Sequence, residues 1–200
     1  HPCQYIKANP CLYVKIPKVP IPPERKAHTE YICSPEDFAK ILNRFPVGSP
    51  FYLPLLTGYH CGTRLGETYG IDLLHDVDFQ THTLQIRHQL KKEDGKWYYR
   101  PPKYGSTRSI RMDPIYEAAL KAEIHSRKLN RIHYGQWFIR YYLLPDSSII
   151  QAQADTAIPY QEIMPLSVRE NGQFLTPEAF KYCARVIHHE LGNPLFHSHC

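Results

Sequence analysis

The chain has 200 residues, 22% charged and 42% hydrophobic, with 24 Lys/Arg against 19 Asp/Glu for a net charge of +5. That length supports one compact unit with a short appendage, and that composition excludes a disordered polar tail. The longest charge-free window, residues 45–63, holds Pro46, Pro50 and Pro54, which excludes a membrane span, and no N-terminal signal pattern is present.

Residues 1–30 contain six of the 18 prolines and, through residue 28, five Lys/Arg against one acid. Such a segment is expected to be extended, either as a basic arm along a phosphate backbone, with Lys15 and Lys18 as candidate contacts, or as a solvated interdomain linker. Folded structure is expected from Ser34, an N-cap followed by Pro35, Glu36 and Asp37. Phe38, Ile41, Leu42 and Phe45 then keep helical spacing up to Pro46. Two more helices are predicted over 51–59 and 64–73. The period then changes to strand alternation at 83–87, Asp94-Gly95 forms a hairpin turn, 96–99 restarts a strand, and 107–112 follows the turn at 104–106. These strands are read as one small three-stranded antiparallel sheet.

The charge gathers there. Residues 87–112 hold eight Lys/Arg against two acids, a net +6 that exceeds the whole chain's, whereas residues 151–200 are net −2. Asp113-Pro114 opens a long helix through about residue 131, expected to bury Ile115, Ala118, Ala119, Ala122 and Leu129. Residues 134–165, rich in aromatics, are read as a short helix and a loop packed on the core. Asn171-Gly172 marks a turn. Thr176-Pro177-Glu178 opens a last helix, with Phe180, Cys183, Ala184 and Ile187 inward and Gly192 at its end. The fold class is therefore mainly α with a small three-stranded antiparallel sheet (α+β). The six cysteines form no CxxC pair, which favours reduced thiols of a cytoplasmic protein over a disulfide framework.

Two residues stand out chemically. Arg64 lies between apolar helices, where a guanidinium needs an anion. It is either one half of a plain helix pair with Glu67, three residues on, or an anion-binding group at a helix N-terminus. Lys103, at a hairpin turn, is a flexible cation able to reach a substrate or give up a proton, although turn lysines commonly only solubilise an edge.

Thr57-Gly58, Thr63-Arg64-Leu65-Gly66-Glu67 and Asp76-Val77-Asp78-Phe79, in that order, resemble the first catalytic box of the tyrosine recombinases, the phage-integrase family. Pro102-Lys103 with Ser106, Arg108 and Ile110 resembles the family's hairpin lysine and the strand after it, and Phe196 to Cys200 resembles the start of its second box, His-x-x-Arg. The 134–165 segment and the helix containing Lys181 are most similar to integrases of Gram-positive phages and conjugative transposons. Tyr104 stands where the family usually has Thr, and Gly62-Thr63 where an apolar pair is common.

The resemblance implies a tyrosine recombinase catalytic-domain fold over 31–200, truncated at its C-terminus, preceded by a 1–30 linker from a core-binding domain. It implies strand cleavage and rejoining through a 3′-phosphotyrosyl link, without a cofactor or metal. Arg64 would clamp the scissile phosphate, Glu67 would support it, Lys103 would protonate the leaving 5′-oxygen, and His199 would contact the same phosphate. Arg108 is a further candidate DNA contact. The implied partners are double-stranded DNA, a homotetramer assembled on it and a directionality factor, in a bacterial nucleoid-associated, cytoplasmic protein. The second arginine and the nucleophilic tyrosine would follow Cys200, so these 200 residues alone are expected not to cleave DNA.

Two other readings remain. One is a DNA-binding module without chemistry, which shares the basic sheet and arm. The other is a metal site built from His188, His189, Glu190, His197, His199 and Cys200, although adjacent helical residues point about 100° apart and no regular ligand spacing is present. His60, His75, His82 and His88 are read as ordinary surface or boundary residues.

Overall fold

A computed structural model describes residues 31–153 and 155–196. Lys15, Lys18 and His199, the 1–30 linker and three of the six proposed metal ligands lie outside the described residues.

Local signals set the first helix. Ser34 accepts from the Asp37 N–H at 3.1 Å, Pro35 occupies the first turn, and α1 runs Pro35–Arg44 with Phe38 and Ile41 buried. Next, α2 (Tyr52–Cys61) is apolar almost all round and ends at Gly62 in the left-handed conformation. The third helix is shorter than predicted: α3 covers only Leu65–Tyr69. The reason lies at Gly70, where a Cβ would sit 2.7 Å from the His88 carbonyl oxygen and 2.8 Å from the Gln89 Cα. The chain turns away there because another strand passes against its backbone.

The strands form three small antiparallel sheets where one was expected. In the first, β2 (Thr83–Ile86) pairs with β1 (Val77–Asp78) and with β5 (Arg108–Arg111), with Ile86 opposite Arg108. In the second, β3 (Gln89–Glu93) and β4 (Lys96–Arg100) make the hairpin foreseen at Asp94-Gly95, both of which take positive φ. No hairpin joins β4 to β5. Pro101-Pro102 removes two successive N–H donors, so β4 cannot continue its pairing, and the chain crosses to the other sheet. The Lys103 turn is thus an inter-sheet connection and not the hairpin turn read from the sequence.

After residue 134 the expected short helix is only a 3₁₀ turn, Gly135–Trp137, and a third sheet stands where a loop was expected. Its strands β6 (Ile139–Leu143), β7 (Ile149–Gln153) and β8 (Gln161–Ile163) lie in the order β7-β6-β8. A legible signal was present: Pro145-Asp146-Ser147-Ser148 is a turn sequence before two isoleucines, and Asp146 Oδ1 accepts from the Ser148 N–H and hydroxyl. Alternation failed to show it because Tyr141 and Tyr142, on opposite faces, are both buried. This sheet packs on the β3–β4 hairpin through Tyr69, Leu90, Tyr99, Tyr141 and Ile163.

The main core joins α1, α2, the first sheet and α5 (Phe180–His189) around Ile41, Leu56, Leu84, Ile86 and Ile187. In α5, Phe180, Cys183 and Ile187 face inward as expected, with Val186. The long helix α4 (Pro114–Tyr134) is capped by Asp113 as expected but turned the other way. Its buried residues are Tyr116, Glu117, Leu120 and Arg127, while Ile115, Ala118, Ala122 and Leu129 are exposed. Long-range partners satisfy the polar ones. Tyr116 Oη bonds Thr57 Oγ1 at 2.9 Å, and the Arg127 guanidinium donates to the Pro165 and Leu166 carbonyls at 2.5 and 2.6 Å. Among the described residues no helix is long and apolar enough to cross a membrane.

Candidate functional site

The site is built around a buried carboxylate. Glu67 lies in the first turn of α3 with 1% of its side chain exposed. Its Oε1 accepts from Arg64 Nη1 at 2.7 Å, and its Oε2 accepts from the Arg64 backbone N–H at 3.0 Å and from Arg108 Nη2 at 2.8 Å. Burial by itself would push the Glu67 carboxyl up; the bonds from Arg108 and from Arg64 outweigh it and hold the group at about 2 instead of its ordinary 4.5. Glu67 is therefore a fixed anion that aligns two guanidiniums.

The Arg64 backbone is held as firmly. Its carbonyl accepts from the Thr68 N–H at 2.8 Å and from Thr68 Oγ1 at 3.2 Å, and Thr68 Oγ1 also bonds Thr63 Oγ1 at 2.7 Å. The side chain remains 48% exposed, and its Nε and Nη2 make no hydrogen bond among the described residues. One edge of this guanidinium is fixed and the other is open. With five residues, α3 adds little dipole, so the cation supplies the attraction for an anion.

Lys103 is tied to this cluster through its turn. The Gly105 N–H donates to the Pro102 carbonyl at 3.0 Å, and both Tyr104 and Gly105 have positive φ. Ser106 Oγ donates to the Lys103 carbonyl at 3.0 Å, and Arg108 Nη1 donates to the Ser106 carbonyl at 3.4 Å. A continuous chain of contacts thus runs from the Lys103 backbone through Ser106 and Arg108 to Glu67 and Arg64. The Lys103 ammonium lies 5.0 Å from the Tyr104 ring centroid and forms no ion pair among the described residues.

Much of the local positive charge is already matched. Of the eight cations in 87–112, Arg87 pairs with Asp76, Lys91 and Arg100 with Glu93, Lys92 with Glu178, and Arg108 with Glu67. Lys96, Lys103 and Arg111 remain without an ion pair among the described residues, and neither Lys96 nor Arg111 had been singled out. Asp76 and Asp78 serve the fold. Asp76 is buried and accepts from Arg87 Nε at 2.7 Å and the Asp72 N–H at 2.9 Å, while Asp78 closes the turn before β2. Arg108, a candidate DNA contact, is directed at Glu67.

Two of the four boundary histidines are half-exposed carboxylate partners: His75 pairs with Asp72 and His82 with Glu117. His60 lies largely enclosed against Asp113, and His88 stacks on the buried Tyr99 ring. Among the described residues no cluster of His, Cys, Asp or Glu could hold a metal ion. Glu190 is committed to Arg44, and His188 Nε2 lies 2.6 Å from the Phe196 carbonyl.

No protein-family model and no curated protein matches the chain. Solved structures do. The chain aligns over 98% of its length with the Tn1549 transposon integrase in complex with transposon right end DNA, at 20% identity and a TM-score of 0.52. It spans about half of that integrase chain, 55% of its length. A second structure of the same integrase, with a circular intermediate DNA, aligns over 87% of this chain and 46% of that one at 18% identity and a TM-score of 0.48. This chain has a tyrosine recombinase/integrase-like fold. The α+β architecture read from the sequence agrees with it.

Proposed function

We propose that the chain is the catalytic-domain portion of a site-specific DNA recombinase that cuts and rejoins strands by transesterification. The observation that carries this reading is Arg64 and Arg108 sharing the buried Glu67 carboxylate, joined by side-chain-to-backbone hydrogen bonds to the turn bearing Lys103, which has no ion pair among the described residues, on an integrase-like fold. The integrase structure that shares this fold is a complex with transposon right end DNA, which supports DNA as the substrate.

In this reading the open edge of Arg64 binds non-bridging oxygens of the scissile phosphate, and Glu67 keeps it from swinging away, so the cation is oriented before the transition-state charge develops. Lys103 gives a proton to the leaving 5′-oxygen; its position on a tight turn lets it reach in while the turn itself stays anchored. His199 contacts the same phosphate. The attacking tyrosine belongs to chain following the second box, and the 3′-phosphotyrosyl link conserves the bond energy for rejoining. A homotetramer on two duplexes and a directionality factor complete the proposal.

The test uses a longer protein that includes the natural sequence after residue 200. Lys103→Ala should slow strand cleavage by about 10²- to 10⁴-fold while changing DNA affinity by less than about threefold. Equal losses of both would make Lys103 a phosphate anchor and favour a DNA-binding module without chemistry. A nicked suicide substrate should trap no covalent adduct with the 200-residue chain alone.

A further inference from the structure

The outward side of α4 carries an apolar seam that the core does not use. Ile115, Ala118, Ala122, His125, Leu129 and Ile132 recur at alternating spacings of three and four residues, and all are exposed. The three large ones are 68%, 54% and 79% exposed for Ile115, Leu129 and Ile132. A seven-residue repeat of this kind is the seam by which one helix takes another. At 1.5 Å per residue it runs for about 26 Å. Tyr116, Leu120 and Arg127 point to the opposite side and anchor α4 to the core. Among the described residues nothing covers the seam, and three large aliphatic side chains in one row on a water-facing helix mark an interaction surface.

Its two edges differ. Lys121 and Lys128 line one edge; Lys121 reaches Glu117, whereas Lys128 has no ion pair among the described residues. The other edge leads past Ser126 and Asn130 into a groove of about 640 Å³ between α4, the loop at Val47 and the turn at Arg169. We propose that this seam docks an amphipathic helix of another protein, whose apolar stripe lies on Ile115, Leu129 and Ile132 and whose acidic edge lies over Lys121 and Lys128.

Charge decides among occupants. Two copies of α4 packed antiparallel would bring lysine edge against lysine edge, and packed parallel would set the lysines against Ala119, Ser126 and His133, which offer no anion. Residues 1–28 of this chain, with five Lys/Arg against one acid, carry the wrong sign. An acidic helix satisfies both the seam and the edge. This inference does not depend on the recombinase reading.

Three fluorescent helical peptides of about three heptads test it against the 200-residue chain by anisotropy. One has Leu at the seam positions and Glu at the flanks, one has Lys in place of Glu, and one keeps Glu but has Ser in place of Leu. The acidic Leu peptide should bind at least tenfold more tightly than either control. The double substitution Leu129→Ser, Ile132→Ser should weaken it at least tenfold with Tm unchanged, and Lys128→Glu should narrow the preference for Glu over Lys peptide. Equal binding of the Glu and Lys peptides, or binding indifferent to both variants, would overturn the proposal. So would a dimer in sedimentation that Leu129→Ser dissociates, which would assign the seam to a second copy.

Discussion

Glu67 is the residue on which the site turns, because its buried carboxylate faces two guanidiniums at once, Arg64 from the N-cap of α3 and Arg108 from β5. Replacing it by Gln leaves Arg64 and Arg108 without an anion and costs about 1–3 kcal/mol; the expected outcome is a lower midpoint in urea unfolding. The pH dependence has a definite sign. Glu67 is held at about 2 in the folded chain and near 4.5 when unfolded, so its stabilisation is complete above about 4.5 and is lost as pH falls towards 2. Acid titration of stability should therefore be shallower in Glu67→Gln over that window. Half of this arrangement was legible: spacing alone places Glu67 beside Arg64. Arg108 was not, because it lies 41 residues away and comes from a strand, β5.

At the scale of elements, the start and end signals written in the chain are followed closely, and the pairing partners are not. Ser34, Asp113 and Asp94-Gly95 act within four residues of themselves and do what their chemistry requires. The length of α3 and the company kept by β4 depend on what passes alongside. Gly70 is the clearest case, and Gly70→Ala should destabilise the chain by about 1–3 kcal/mol as a Cβ is forced against the His88 carbonyl. Thermal unfolding would show it. An unchanged Tm would mean that the α3–β3 contact yields easily and does not limit the helix.

Over the whole molecule, positive charge counts for less than its sum. Five of the eight cations in 87–112 are held in ion pairs, so, on the proposed DNA-binding reading, affinity should respond to Lys96, Lys103 and Arg111, which have no ion pair among the described residues. In the logarithmic plot of affinity against salt, Arg111→Ala should reduce the slope by about one, as for a lost phosphate contact. Arg87→Ala should leave the slope nearly unchanged while lowering stability, since it strands the buried Asp76. A drop of one unit for both would show that the ion pairs open on binding. The sequence by itself determined the helix starts, the β3–β4 turn, the α+β class, and the order of Arg64, Glu67 and Lys103, because each rests on local backbone chemistry or on motif spacing. Only the tertiary structure decided which side of α4 is buried, which strands pair, and which arginine completes the site. Those choices are made by groups far apart in the chain: the Pro165 and Leu166 carbonyls that accept from Arg127, Thr57 beneath Tyr116, and Glu67 opposite Arg108.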